Sequence, residues 1–130
     1  MDDMYRQIII DHYKNPQNKG KLLDANIEVD ESNPLCGDHL EVFLKIKNDE
    51  LKDISFEGKG CALSIATSSI LTDEIKNKHI NEIKKLTRED INIMLGIDVS
   101  PARTKCVMLS LATIKKGIFE YEKNKMNKVK

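Results

Sequence analysis

Apolar and polar positions change period along the chain, from nearly four to two and back again, and these changes mark out the elements. Tyr5, Ile8, Ile9 and His12 fall at i, i+3, i+4 and i+7. They predict an amphipathic helix that ends near Lys14-Asn15-Pro16, because proline cannot continue it. After a loop rich in Lys, Asn and Gly from Gln17 to Lys21, Ile27-Glu28-Val29 alternates like a short strand. Leu40, Val42, Leu44 and Ile46 then alternate with His39, Glu41, Phe43, Lys45 and Lys47, and Ile54 and Phe56 with Asp53, Ser55 and Glu57. Asn48-Asp49-Glu50 lies between the two runs as a turn, so they predict a hairpin with one buried face. An antiparallel sheet of about three strands follows.

Gly58-Lys59-Gly60 closes the last strand, and from Cys61 onward the period lengthens. Ala62, Leu63, Ala66, Ile70 and Ile75 form one stripe, with Ser64, Thr67 and Ser68 elsewhere around the helix; the small residues suggest close packing on the sheet. Two short helices are predicted at Asn81 to Leu86 and Arg88 to Leu95. Thr87 is the N-cap of the second, Asp90 stands three residues on, and Gly96 terminates it. Pro101 opens a long helix whose buried stripe is Val107, Leu111, Ile114 and Ile118. It grades into a Lys-rich tail from about residue 121, expected to fray at Lys123 to Lys130. The fold class is α+β, a three-stranded antiparallel sheet packed with about five helices. With 130 residues, no internal repeat and no linker, the chain reads as one domain over 1–130.

Charge narrows the function. Lys+Arg and Asp+Glu both total 21, so no overall field draws the protein to nucleic acid. The apolar runs are too short to cross a bilayer, and Met1-Asp2-Asp3-Met4 does not resemble a signal peptide, so a cytoplasmic protein that does not engage a membrane is expected. Three cysteines, an odd number far apart in sequence, argue against a disulfide framework.

Those cysteines, Cys36, Cys61 and Cys106, each sit where a predicted loop meets a regular element, and Asp38 follows Cys36 by two residues. Three thiols and a carboxylate suffice for one tetrahedral metal site, with Zn²⁺ favoured by sulfur and iron also suitable. Gly37 lets the backbone fold so that Cys36 and Asp38 can face one ion. Cys61, at a helix N-terminus, is favoured as thiolate. Spacing alone leaves a plainer reading open at even weight: cysteines as small core filler and Asp38 as a turn residue. His12 reads as a packing or hydrogen-bonding residue, His79 as solvent-facing, and His39 as a lesser substitute ligand. The Lys-rich tail reads as a solvated end.

The chain resembles the family of iron-sulfur cluster assembly proteins that comprises IscU, SufU and the N-terminal domain of NifU. The resemblance covers Tyr5 to about Gly117. It runs through Asp11-His12-Tyr13-Lys14-Asn15-Pro16, Asn33-Pro34-Leu35-Cys36-Gly37-Asp38, Phe56-Glu57-Gly58-Lys59-Gly60-Cys61 and Pro101-Ala102-Arg103-Thr104-Lys105-Cys106. It implies a three-stranded sheet packed with helices, a metal site from Cys36, Asp38, Cys61 and Cys106, and persulfide sulfur delivered by a cysteine desulfurase. Fe-S acceptor proteins or a downstream scaffold would then receive sulfur or a nascent [2Fe-2S] cluster.

Features of two branches are mixed. IscU members carry a histidine before the last cysteine and a Leu-Pro-Pro-Val-Lys motif ahead of it; here Lys105 precedes Cys106 and both features are missing. The segment from Pro101 to Cys106 resembles SufU, whose members bind zinc and relay sulfur. SufU members usually carry an insertion between the second and third cysteines, for which Ala62 to Lys105 is too short. In the SufU manner the persulfide acceptor is Cys36; in the IscU manner it is Cys106. Lys105 can favour nearby thiolates by charge, and Arg103 can pair with Asp38, contact the desulfurase or form a plain surface ion pair. The chain is thus expected to be a zinc-dependent sulfurtransferase or a non-enzymatic scaffold. The competing class is a binding module with a purely structural zinc, and a zinc hydrolase ranks behind both for want of an evident general base.

Overall fold

The structure is a computed structural model of the chain and describes residues 3–34 and 37–128. Its strands are β1 (Ile27–Asn33), β2 (Asp38–Lys47) and β3 (Glu50–Lys59), and its helices are α1 (Asp3–Lys14), α2 (Ala62–Ile75), α3 (Ile80–Lys84), α4 (Arg88–Leu95) and α5 (Thr104–Lys128). The sheet is antiparallel in the order β1-β2-β3. This is the expected α+β architecture. Asn48 and Asp49 alone make the β2–β3 turn, both with positive φ (54° and 63°), which Asn and Asp tolerate and a two-residue hairpin of this twist requires. Strand β1 runs on past the predicted Val29 to Asn33 because Asp30 to Asn33 pair with Asp38 to Glu41.

Alternation places Ile27, Val29, Leu40, Val42, Leu44, Ile46, Ile54 and Phe56 in the buried core. Helix α5 packs on β1 and β2, and α2 packs on β3 and α5. Gly117 allows the α5 approach, since a Cβ there would run into Leu44 Cδ1 with Val29 Cγ2 at 3.2 Å. The expectation of a single buried face needs correction: Phe43 and Ser55, which point away from the helices, are buried as well. After Gly20 N–H bonds Phe56 O at the β3 edge, the chain returns to β1. There Asn26 N–H bonds Leu44 O, and on the way Asp24 pairs with Lys45 on the outer face. The crossing segment roofs that part of the sheet.

Helix α2 departs from its predicted stripe. Ala62 is exposed, whereas Ser64, Thr67, Ser68, Ser69 and Thr72 are buried together with Leu63, Ile65, Ala66, Leu71 and Ile75. Because β3, α1, α4 and α5 all pack against the helix, its exposed residues lie only near its ends, at Ala62, Asp73 and Glu74, and the buried hydroxyls must bond internally. Thr67 Oγ1 donates to Leu63 O (2.6 Å), Ser68 Oγ to Ser64 O (3.0 Å) and Thr72 Oγ1 to Ser68 O (2.7 Å). Ser69 Oγ accepts from Gln17 N–H and bonds His12 Nδ1, both at 2.7 Å, which docks α1 onto α2.

Around α4 the sequence signals appear as expected. Thr87 and Asp90 form both halves of a capping box, and Gly96 closes the helix at φ 73°. His79 is exposed and caps α3, its Nδ1 accepting from Asn81 N–H at 3.0 Å. Pro101–Arg103 forms a 3₁₀ turn, so α5 begins at Thr104 rather than at the proline. The described part of the tail, up to Lys128, is helical rather than frayed, with Glu122 held by Lys84 and Lys125 by Asp49; residues 129 and 130 lie outside the described residues. No helix among the described residues is long and apolar enough to cross a membrane.

Candidate metal centre

Sheet register brings the first two site residues together. Asn33 pairs with Asp38 across the β1–β2 connection, and Gly37, at φ 73°, donates its N–H to Asn33 O at 2.9 Å. His39 pairs with Lys59, so the chain leaving β3 passes Asp38 at Gly60 and starts α2 immediately afterwards. Gly60 fits closely: a Cβ there would lie 3.4 Å from Asp38 Cγ and 3.0 Å from Ser64 Oγ. Cys61 is the N-cap of α2, with Sγ accepting the Ser64 N–H at 3.4 Å. Its own N–H donates to Asp38 Oδ1 at 3.3 Å.

Helix α5 supplies the third member. Because the 3₁₀ turn ends at Arg103, Cys106 lies in the first turn of α5. Asp38, Cys61 and Cys106 thereby bring one ligand atom each to within 4.8 Å of one another, from the beginnings of β2, α2 and α5. Asp38 is buried, the two cysteines half-buried. Asp38 Oδ2 is also buried and has no hydrogen-bond partner among the described residues. A buried carboxylate oxygen left so is costly, and a cation removes the cost. Two sulfurs and a carboxylate oxygen fit a thiophilic divalent ion such as zinc or iron better than magnesium or calcium.

Cys36, the fourth expected ligand, lies outside the described residues. The orphaned Asp38 Oδ2 also shows that the expected Arg103–Asp38 pair is not formed; Arg103 and Lys105 are both exposed. The histidines stand away from the cluster. His12 bonds Ser69, in keeping with its packing role, and His79 caps α3. His39 turns to the outer face, 2.6 Å from Ser32 Oγ and 3.7 Å from Asp30 Oδ2, so it is no substitute ligand. From sequence, Gly60 reads only as the end of a strand and Ser64 only as a helix residue. The Cys-x-x-Ser spacing, that of an N-cap and its N3 partner, was the available signal.

Residues 4–128 match the NifU-like N terminal domain family. The chain is 38% identical to the zinc-dependent sulfurtransferase SufU of Bacillus subtilis (strain 168), over 94% of this chain and 94% of the relative. That alignment spans 139 positions, more than the chain has residues, so it opens gaps in this chain. The iron-sulfur cluster assembly scaffold protein IscU 1 of Archaeoglobus fulgidus is 36% identical over 98% of this chain and 84% of its own length. The crystal structure of a nitrogen-fixing NifU-like protein (N-terminal) from Brucella abortus superposes with a TM-score of 0.77 at 21% identity, covering 94% of this chain and 96% of that one. This last likeness concerns the fold.

Proposed function

The chain belongs to the NifU-like N terminal domain family, and from that premise we propose that it is an iron-sulfur cluster assembly protein that accepts persulfide sulfur from a cysteine desulfurase. It passes on sulfur, or a nascent cluster, to Fe-S acceptor proteins or a downstream scaffold. One observation carries the reading: the ligand atoms of Asp38, Cys61 and Cys106 converge within 4.8 Å from three separate segments. Cys36, two residues before Asp38 in sequence, completes the ligand set. Zinc bound by these four residues would keep the thiols deprotonated and tie the segments together.

For sulfur relay, the Cys36 thiolate attacks the terminal sulfur of the desulfurase persulfide. The new S–S bond forms as the old one breaks, and the desulfurase cysteine leaves as a thiolate. A thiolate held by zinc would be a subdued nucleophile, so Cys36 would act as nucleophile only when free of the ion. Lys105 and Arg103, exposed beside Cys106 in sequence, offer positive charge to thiolates or to the partner. Lys105, and the missing histidine and Leu-Pro-Pro-Val-Lys motif, favour the relay over the scaffold. The gaps against the sulfurtransferase relative weigh the other way, and Cys106 is then the acceptor.

The test combines the protein with a cysteine desulfurase and cysteine, followed by alkylation and mass spectrometry. Added sulfur should be found chiefly on Cys36, and Cys36→Ser should abolish stimulation of desulfurase turnover. Label on Cys106, with stimulation kept in Cys36→Ser, would establish the scaffold instead. No labelled cysteine would leave a binding module with a structural zinc.

A further inference from the structure

The start of α2 contains half of a capping box and obtains the other half from a different element. In a complete box the N-cap side chain accepts the N3 backbone N–H, and the N3 side chain accepts the N-cap N–H. Cys61 performs the first task, accepting from Ser64 N–H at 3.4 Å. The second is not performed by Ser64. The Cys61 N–H instead reaches Asp38 Oδ1, 23 positions earlier in the chain and at the beginning of β2. Gly60 makes room for this, because it lies between the Asp38 carboxylate and Ser64 with no side chain of its own.

We propose that the two oxygens of Asp38 have separate duties: Oδ1 positions Cys61 by holding its N–H and so completing the cap of α2 from β2, while Oδ2 is the oxygen offered to the metal. Asp38 is then a positioning residue for Cys61 with or without the ion. The ligand half rests on the metal reading above; the positioning half does not. Oδ1 is occupied by a backbone donor and Oδ2 is buried with no partner among the described residues.

Asparagine separates the duties. Its single acceptor oxygen must turn to the Cys61 N–H, which leaves on the other side an –NH₂ group that has donors only and cannot ligate. The experiment compares the full-length chain with Asp38→Asn and Asp38→Ala, measuring amide hydrogen exchange of Cys61 in the metal-free proteins and affinity for Zn²⁺ by chelator competition. Asp38→Ala should speed Cys61 exchange about fivefold, the equivalent of one lost hydrogen bond, and weaken zinc binding. Asp38→Asn should restore exchange to within about twofold of wild type and yet bind zinc as weakly as alanine does.

Unchanged exchange in Asp38→Ala, or exchange in Asp38→Asn as fast as in alanine, would overturn the positioning role. Wild-type zinc affinity in Asp38→Asn would overturn the assignment of Oδ2. If wild type itself bound no zinc, the metal reading and the ligand half would fall together, and the exchange rates would still decide the positioning half.

Discussion

Lys125, near the end of α5, places Nζ 2.8 Å from Oδ1 and 3.0 Å from Oδ2 of Asp49, the second residue of the β2–β3 turn. Tyr121, one turn earlier, donates its O–H to Asp49 Oδ1 at 3.2 Å and accepts the Asp49 N–H at 3.3 Å. The last helix is thus clipped to the hairpin at the end of the molecule opposite the β2 start. The hydrogen bond from Lys125 holds the Asp49 carboxyl below its ordinary value, and the same bond raises Lys125.

The sign of the pH effect follows. A lowered carboxylate contributes stability above its unfolded value of about 3.9, lost as pH falls through the folded one; a raised lysine contributes below about 10.4, lost as pH rises beyond it. Asp49→Asn keeps the turn, because Asn tolerates positive φ, and removes the charge. It should lower the thermal midpoint slightly at pH 7, with the difference shrinking at high salt and declining as pH falls below about 3.9 toward the lowered folded value. An equal difference at pH 7 and pH 3 would contradict the pairing.

One Zn²⁺ per chain is expected, with sulfur carrying most of the affinity. Loss of a group that merely orients a ligand costs about 10–100-fold in affinity, so Cys36→Ser, Cys61→Ser or Cys106→Ser should each cost more than about a hundredfold. Asp38→Ala should cost less. Chelator competition checks the order, and tight stoichiometric zinc in a variant lacking all three cysteines would refute it. Affinity should fall as pH drops, because the thiols must lose protons to bind.

Zinc should also stabilise the fold, since its ligands lie on segments remote in sequence. At a free concentration about 100 times Kd the gain is about 2.7 kcal/mol, on the order of 10 °C in Tm for a chain of this size. Chelation should lower Tm by this amount without unfolding the protein, because the core of sheet, α2 and α5 is built without the ion. Calorimetry with and without chelator decides; identical midpoints would show that the ligands do not bridge these segments.

Gly60→Ala is expected to act on both the site and stability. The new Cβ would press on Ser64 Oγ at 3.0 Å, Ser64 Cβ at 3.1 Å and Asp38 Cγ at 3.4 Å. Overpacking of this kind costs about 1–3 kcal/mol, and displacing Asp38 should weaken zinc binding in parallel. Urea unfolding and zinc competition on the same variant test this. A loss of stability with wild-type zinc affinity would mean that Asp38 is not displaced.

What the sequence by itself determined is local. Alternation from Leu40 to Ile46 defines a strand, Thr87, Asp90 and Gly96 delimit a helix, and Asn48-Asp49 makes a turn, because these signals act over a few residues through backbone geometry and capping. Cys61, Cys106 and Asp38 were legible as ligand candidates by their donor chemistry, but spacing alone left a core-filler reading at even weight, and the resemblance to the family tipped the balance. The tertiary structure alone decided which of these groups meet. Asp38 reaches the Cys61 N–H because His39 pairs with Lys59, while His39, the next residue, turns to the opposite face. Ser64, Thr67 and Ser68 are buried because β3, α1, α4 and α5 pack around the middle of α2, and Phe43 is buried although it lies on the face of the sheet away from the helices. A single-face hydrophobic stripe records one neighbour, whereas register, helix docking and loop crossing are set by contacts between residues far apart in the chain, whose pairing no local pattern encodes.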